Sequence, residues 1–116
     1  MLRIRRQQME ALQNQKDQAF VRWMATQIRS EHPLRTTGMA DADLERIINT
    51  GIARGRNHGF HESSLLMSFI DGMFRFHPDY DHHPQIRLQL DEITSSPEER
   101  LLEAIACATS LTWEPE

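Results

Sequence analysis

Apolar residues recur along this chain at intervals of three and four, in five stretches separated by proline, glycine and polar turns. That period predicts helices burying one stripe each. The first stretch, about Leu2 to Arg29, has neither Gly nor Pro. Leu2, Met9, Leu12, Ala19, Phe20, Trp23 and Met24 fall within one arc when plotted at helical pitch. Lys16 sits in that arc and must snorkel outward, while Ile4, Val21 and Ile28 lie off it. Glu31, His32 and Pro33 end the helix, because a residue before proline disfavours helical backbone. A loop with Gly38 is expected over 33–39.

The second helix is expected from Ala40 or Asp41 to His58, with Leu44, Ile47, Ile48 and Ile52 inward. Asp41, Asp43 and Glu45 begin it and Arg54 and Arg56 close it, which complements the helix dipole. Gly51 and Gly55 weaken the helix by about 1 kcal/mol each relative to alanine, so the sequence predicts a neighbouring helix packed closely there. Gly59 fits a left-handed terminator. The third helix, Glu62 to Phe76, carries Leu65, Leu66, Met67, Phe69, Ile70, Met73, Phe74 and Phe76 over more than half its circumference. Such a helix is buried on several sides and is expected to be central, packed by the first, second and fifth. Residues 77–83 read as a loop. Pro84 then starts a short fourth helix to about Glu92, with Ile86, Leu90 and Ile93 at helical spacing. Ser96, Pro97 and Glu99 have the form of a capping box and open a fifth helix with Leu101, Leu102, Ile105, Ala108 and Thr112 inward. Residues 113–116 form a fraying tail that Trp113 could anchor. No stretch alternates with the period of a strand. The expected fold is therefore all-α, a single-domain bundle of four to five helices spanning 1–116.

The 116 residues suffice for one domain. No apolar run reaches the roughly 18 residues of a membrane span. MLRIRRQQ is basic, but no apolar stretch follows it as in a secretory signal. One cysteine, Cys107, fits a reducing, cytoplasmic setting. The net charge of −4 conceals a split. Residues 1–60 hold ten Arg/Lys and six Asp/Glu, or +4, and residues 61–116 hold three and eleven, or −8. An acidic half can steer a basic partner.

Candidate chemistry is sparse. His77, Asp79, Asp81, His82 and His83 are suitable ligand types for zinc, but they lack a fixed ligand spacing and also suit a solvated turn, so no metal or other cofactor is expected. His58, His61 and Glu62 stand in the wrong order for a zinc-protease motif, and Gly59 interrupts the helix it requires. Nothing local activates Cys107 as a nucleophile. Arg3, Arg5 and Arg6 cluster, yet the chain is acidic and lacks a basic stripe interleaved with aromatics, so nucleic-acid binding is not expected. The reading is a protein without enzymatic activity that binds another protein through a helix-lined surface. Arg3, Arg5 and Arg6 at the basic end, and Phe76, Tyr80 and Asp81 at the loop, are the candidate partner-binding residues, taken to be exposed. The long first helix could equally pair with its copy in a homodimer.

The opening MLRIRRQQMEAL, with Phe20 and Met24 further on, FIDGMF at 69–74 and PDYD at 78–81 resemble a family of small bacterial proteins. Members are encoded beside effectors and adaptors of type VI secretion systems. The resemblance covers most of the chain and is weakest after residue 84. It implies a cytoplasmic co-chaperone or adaptor that binds an effector, or the adaptor that loads it, before export. An immunity protein that neutralises a cognate toxin is the alternative. His77, His82 and His83 depart from the family pattern, which puts partner choice and pH response in question.

Overall fold

Among residues 18–113, which the computed structural model describes, all regular structure is helical, as the apolar period predicts. Residues 18–31 form α1, followed by a single-turn α2 (Pro33–Thr36) and then α3 (Asp41–Asn57). The chain groups into two compact units, residues 1–48 and 49–116, so the boundary falls within α3.

In the first unit the buried face of α1 is Val21, Met24 and Ile28, a spacing of three and four. This corrects the expected stripe within the described residues: Met24 is inside as expected, but so are Val21 and Ile28, and Trp23 is 47% exposed. Leu2, Met9, Leu12 and Lys16 lie outside the described residues. An arc drawn through the widely spaced apolar positions of 2–24 misplaces the face that packs at 21–28. The expected loop over 33–39 contains α2, where Pro33 supplies a first-turn residue needing no N–H partner. Thr36 is buried, its hydroxyl donating to His32 O at 3.0 Å. Gly38 then turns the chain with φ +77°. Arg29 closes this reversal by donating to Thr36 O (3.3 Å), Met39 O (2.7 Å) and Asp41 Oδ1 (2.8 Å).

α3 buries Leu44, Ile48, Gly51, Ile52 and Gly55 along one face. In the second unit its glycines meet α4 (Ser63–Arg75). A Cβ on Gly51 would stand 2.8 Å from Ile70 Cγ1, and one on Gly55 would stand 2.7 Å from Leu66 Cδ2. The close approach predicted from these glycines is therefore present. Gly59, with φ +92°, ends α3. Phe60 N donates to Gly55 O and Gly59 N to Arg56 O, which satisfies the last carbonyls in a Schellman arrangement.

α4 buries Leu66, Phe69, Ile70, Gly72, Met73 and Phe74. Beyond it, the expected loop includes a 3-10 turn at Tyr80–His82. α5 (Pro84–Leu90) is capped by His83, whose Nδ1 accepts from Gln85 N at 3.2 Å. α6 (Pro97–Ser110) is capped by Ser96, whose Oγ accepts from Glu99 N at 3.2 Å. α6 lies against α5 and α4. Arg100 Nη1 fastens two helix ends by donating to His58 O (3.0 Å) and Leu90 O (2.9 Å). The inward residues of α6 are Leu101, Ala104 and Ala108, whereas Leu102 and Thr112 face out. Small Ala104 and Ala108 let the backbone approach its neighbours, and Leu102 lies about 100° round from Leu101. Ile93, expected inward, lies beyond the end of α5 and is 92% exposed. Trp113 itself is held: its Nε1 donates to Ala108 O at 2.9 Å, and its ring meets Phe76, His77 and His83. The rest of the expected tail, 114–116, lies outside the described residues.

Candidate functional site

Arg54, on the last turn of α3, and His58, just past its end, stand four apart and are joined by a helical His58 N to Arg54 O bond of 3.2 Å, so their side chains share a face. Asp81, on the 3-10 turn, meets both. Arg54 Nη2 pairs with Asp81 Oδ1 and its Nε donates to Asp81 Oδ2 at 3.3 Å. Its Nη1 donates to Pro78 O at 2.9 Å and lies 3.5 Å from Asp79 Oδ1. Asp81 Oδ2 is also 3.1 Å from His58 Nε2 and 3.9 Å from His82 Nε2. The Asp81 side chain is 1% exposed. A carboxylate held there requires compensation, and Arg54 and His58 supply it.

The electrostatics follow from the burial. Desolvation lowers the Arg54 pKa, while Asp79 and Tyr80 pull it upward. Desolvation also lowers the His58 pKa from its usual 6.5; Asp91 opposes this, and Arg54, Arg100 and Arg87 reinforce it. His58 is thus neutral at pH 7, and facing a carboxylate its Nε2 carries the proton and donates. The contact is a hydrogen bond to the Arg54–Asp81 ion pair, which the Asp79 carboxylate flanks at 3.5 Å from Arg54 Nη1.

Tyr80 explains why Asp81 is held in place. The phenol lies across α4, where Gly72 leaves room: a Cβ there would sit 2.6 Å from Tyr80 Cζ and Oη. The hydroxyl donates to Phe69 O at 2.8 Å and the ring packs on Phe69 and Phe76. Burial raises the Tyr80 pKa far above its usual value, so the hydroxyl keeps its proton as donor.

Above this cluster lies an open cleft of about 200 Å³ lined by Arg54, Asn57, His58, Asp81, His82, Arg87 and Asp91. Its two arginines are matched by its two aspartates, with Arg87 Nε 3.8 Å from Asp91 Oδ2. A carboxylate-oriented neutral imidazole is a component of nucleophilic sites, but none of the residues lining this cleft carries a hydroxyl or thiol. The arrangement orders the loop, tying residues 78–82 to the end of α3.

These positions correct the expected site. Phe76, Tyr80 and Asp81 are 7%, 0% and 1% exposed, so they are not surface side chains. The sequence does not show that the bulk of Tyr80 fits over Gly72, whose place in an otherwise apolar helix is a hint of a close neighbour. Arg3, Arg5 and Arg6 lie outside the described residues. The histidines of the loop diverge: His77 Nδ1 accepts from Asp79 N, His83 Nδ1 accepts from Gln85 N, and both rings lie against Trp113.

A second candidate is the outward side of α5 and α6. Leu88, Ile93 and Leu102 are 72%, 92% and 68% exposed. Asp91, Glu92, Glu98, Glu99 and Glu103 are exposed along the same stretch. Sequence reasoning missed this surface by placing Ile93 and Leu102 inside. Among the described residues, no helix is long and apolar enough to cross a membrane. Compared with protein-family models, curated proteins and solved structures, the chain matches none.

Proposed function

We propose that this chain acts without catalysis, as a protein-binding accessory factor: a co-chaperone or adaptor that holds a type VI secretion effector, or its loading adaptor, in the cytoplasm before export. The observation that carries the protein-binding part is the exposure of Leu88, Ile93 and Leu102 on one acidic stretch. Exposed large apolar side chains surrounded by charge suit a protein contact. The secretion setting rests on the sequence resemblance at 1–12, 69–74 and 78–81. Arg3, Arg5 and Arg6 remain candidates for a basic contact, whereas Phe76, Tyr80 and Asp81 serve the interior.

The excess of eleven acids over three bases in residues 61–116 favours a second reading, an immunity protein that covers a basic toxin. Co-purification of the chain with products of neighbouring genes tests both readings, and deletion separates them. Deletion abolishes effector export for an adaptor and causes self-killing for an immunity protein. A deletion strain that exports normally and survives contact with its siblings would remove both.

A further inference from the structure

We propose that the outer face of the α5–α6 hairpin docks a basic amphipathic helix of a partner protein, an inference that rests on the protein-binding reading above. Two contacts fix the hairpin as antiparallel. Arg100 Nη1 reaches Leu90 O at 2.9 Å, and Cys107 Sγ lies 4.0 Å from Gln85 Oε1. Leu88 and Leu102 fall between these two rungs, at a common level along the hairpin. Leu88 is two residues from each of Ile86 and Leu90, the buried positions of α5, and so points about 200° away from them. Leu102 begins an exposed row continued by Ala106 and Thr109 at the next helical turns. Ile93 extends the apolar surface into the connecting turn.

Charge selects the occupant. Glu98 and Glu99 precede Leu102 by four and three residues and share its side of α6. Asp91 follows Leu88 by three, and Glu92 and Glu103 are exposed nearby in sequence. Of the two arginines in residues 84–110, Arg100 is directed inward to backbone carbonyls and Arg87 lies beside Asp91. The face therefore offers leucine and isoleucine contacts within a negative field. A helix with an apolar stripe flanked by lysine and arginine satisfies both features, and one flanked by glutamate is repelled.

The test uses the full chain and two labelled synthetic helical peptides sharing one leucine stripe, one with lysine and arginine and the other with glutamate on the polar face. Fluorescence anisotropy should show saturable binding of the basic peptide only. Leu88→Ser with Leu102→Ser should weaken it on the order of tenfold or more, with unchanged circular dichroism because both side chains are exposed. Ile93→Ser, in the turn, and Glu98→Lys with Glu99→Lys should each weaken it independently. Absence of saturable binding, wild-type affinity in all of these variants, or equal binding of the glutamate peptide overturns the proposal. A dimer that these same variants abolish, with no peptide binding, also overturns it and assigns the face to a second copy. Persistent co-purification with neighbouring gene products would in those cases leave the broader reading standing. Peptide binding without any such co-purification would remove that reading and keep the surface.

Discussion

Arg29 and Arg54 perform the same operation in the two units, under different conditions. Each projects from a helix, donates to backbone carbonyl oxygen in a connecting segment and meets an aspartate. Arg29 reaches Asp41, whose side chain is 85% exposed; Arg54 reaches Asp81, at 1%. Water screens the first pair and can replace either partner, so its contribution is small. In the second pair, loss of one ion leaves the other desolvated and deprived of its main compensating charge. What separates them is the medium around the aspartate rather than the pairing itself.

The sharpest way to break this contrast is Asp81→Ala. It leaves Arg54 part-buried without its main partner and should reduce stability by about 3–5 kcal/mol, a large part of the roughly 5–15 kcal/mol that holds a small domain folded. Urea denaturation followed by circular dichroism measures it, and a loss similar to that of a surface pair would show that water reaches the cluster. Gly72→Ala attacks the same carboxylate through its support, since the new methyl group meets the Tyr80 phenol. Overpacking of this kind should destabilise by about 1–3 kcal/mol. Tyr80→Leu in the same chain should recover part of that loss if the clash is its origin.

A pH titration sharpens the contrast further. The folded state holds His58 below its usual pKa of 6.5, chiefly by burial, so the unfolded chain binds more protons in the window beneath that value. Stability from this group is fully present above 6.5 and is lost as pH falls through the folded pKa. Denaturation midpoints measured between about pH 7.5 and pH 5 should decline, and His58→Gln should flatten that slope. The smallest effect belongs to Asp41→Ala, expected within about 0–1 kcal/mol and smaller still in high salt. A loss comparable with that of Asp81→Ala would abolish the distinction between the two arginines.

Local chemistry made much of the architecture readable. Pro84, Ser96 with Pro97, and Gly59 each mark a helix end by a backbone requirement contained within a few residues, and each end lies where that requirement places it. Gly51 and Gly55 announced a close helix contact because glycine is otherwise unfavourable within a helix. The polar cluster was not readable, because Arg54 and Asp81 are 27 residues apart and their meeting depends on how the loop folds over α4. A short motif such as PDYD suggests a polar turn equally well whether its aspartate is solvated or enclosed. On α6, adjacent Leu101 and Leu102 are equally apolar, and the alanines at 104 and 108 decide which faces inward. That choice belongs to packing, and it created the apolar outer face that sequence periodicity had assigned to the core.

The surroundings of Trp113 also make the chain its own optical probe. Its indole is stacked with His77 at a centroid distance of 6.1 Å and edge-on to His83 at 5.5 Å, so a change in that packing should alter its emission. Trp23, the other tryptophan, is half in water with the Phe20 ring beside it. Replacing Trp23 with phenylalanine would leave a single tryptophan seated against the 77–83 loop, allowing rearrangement of that loop to be followed in real time without attaching a dye.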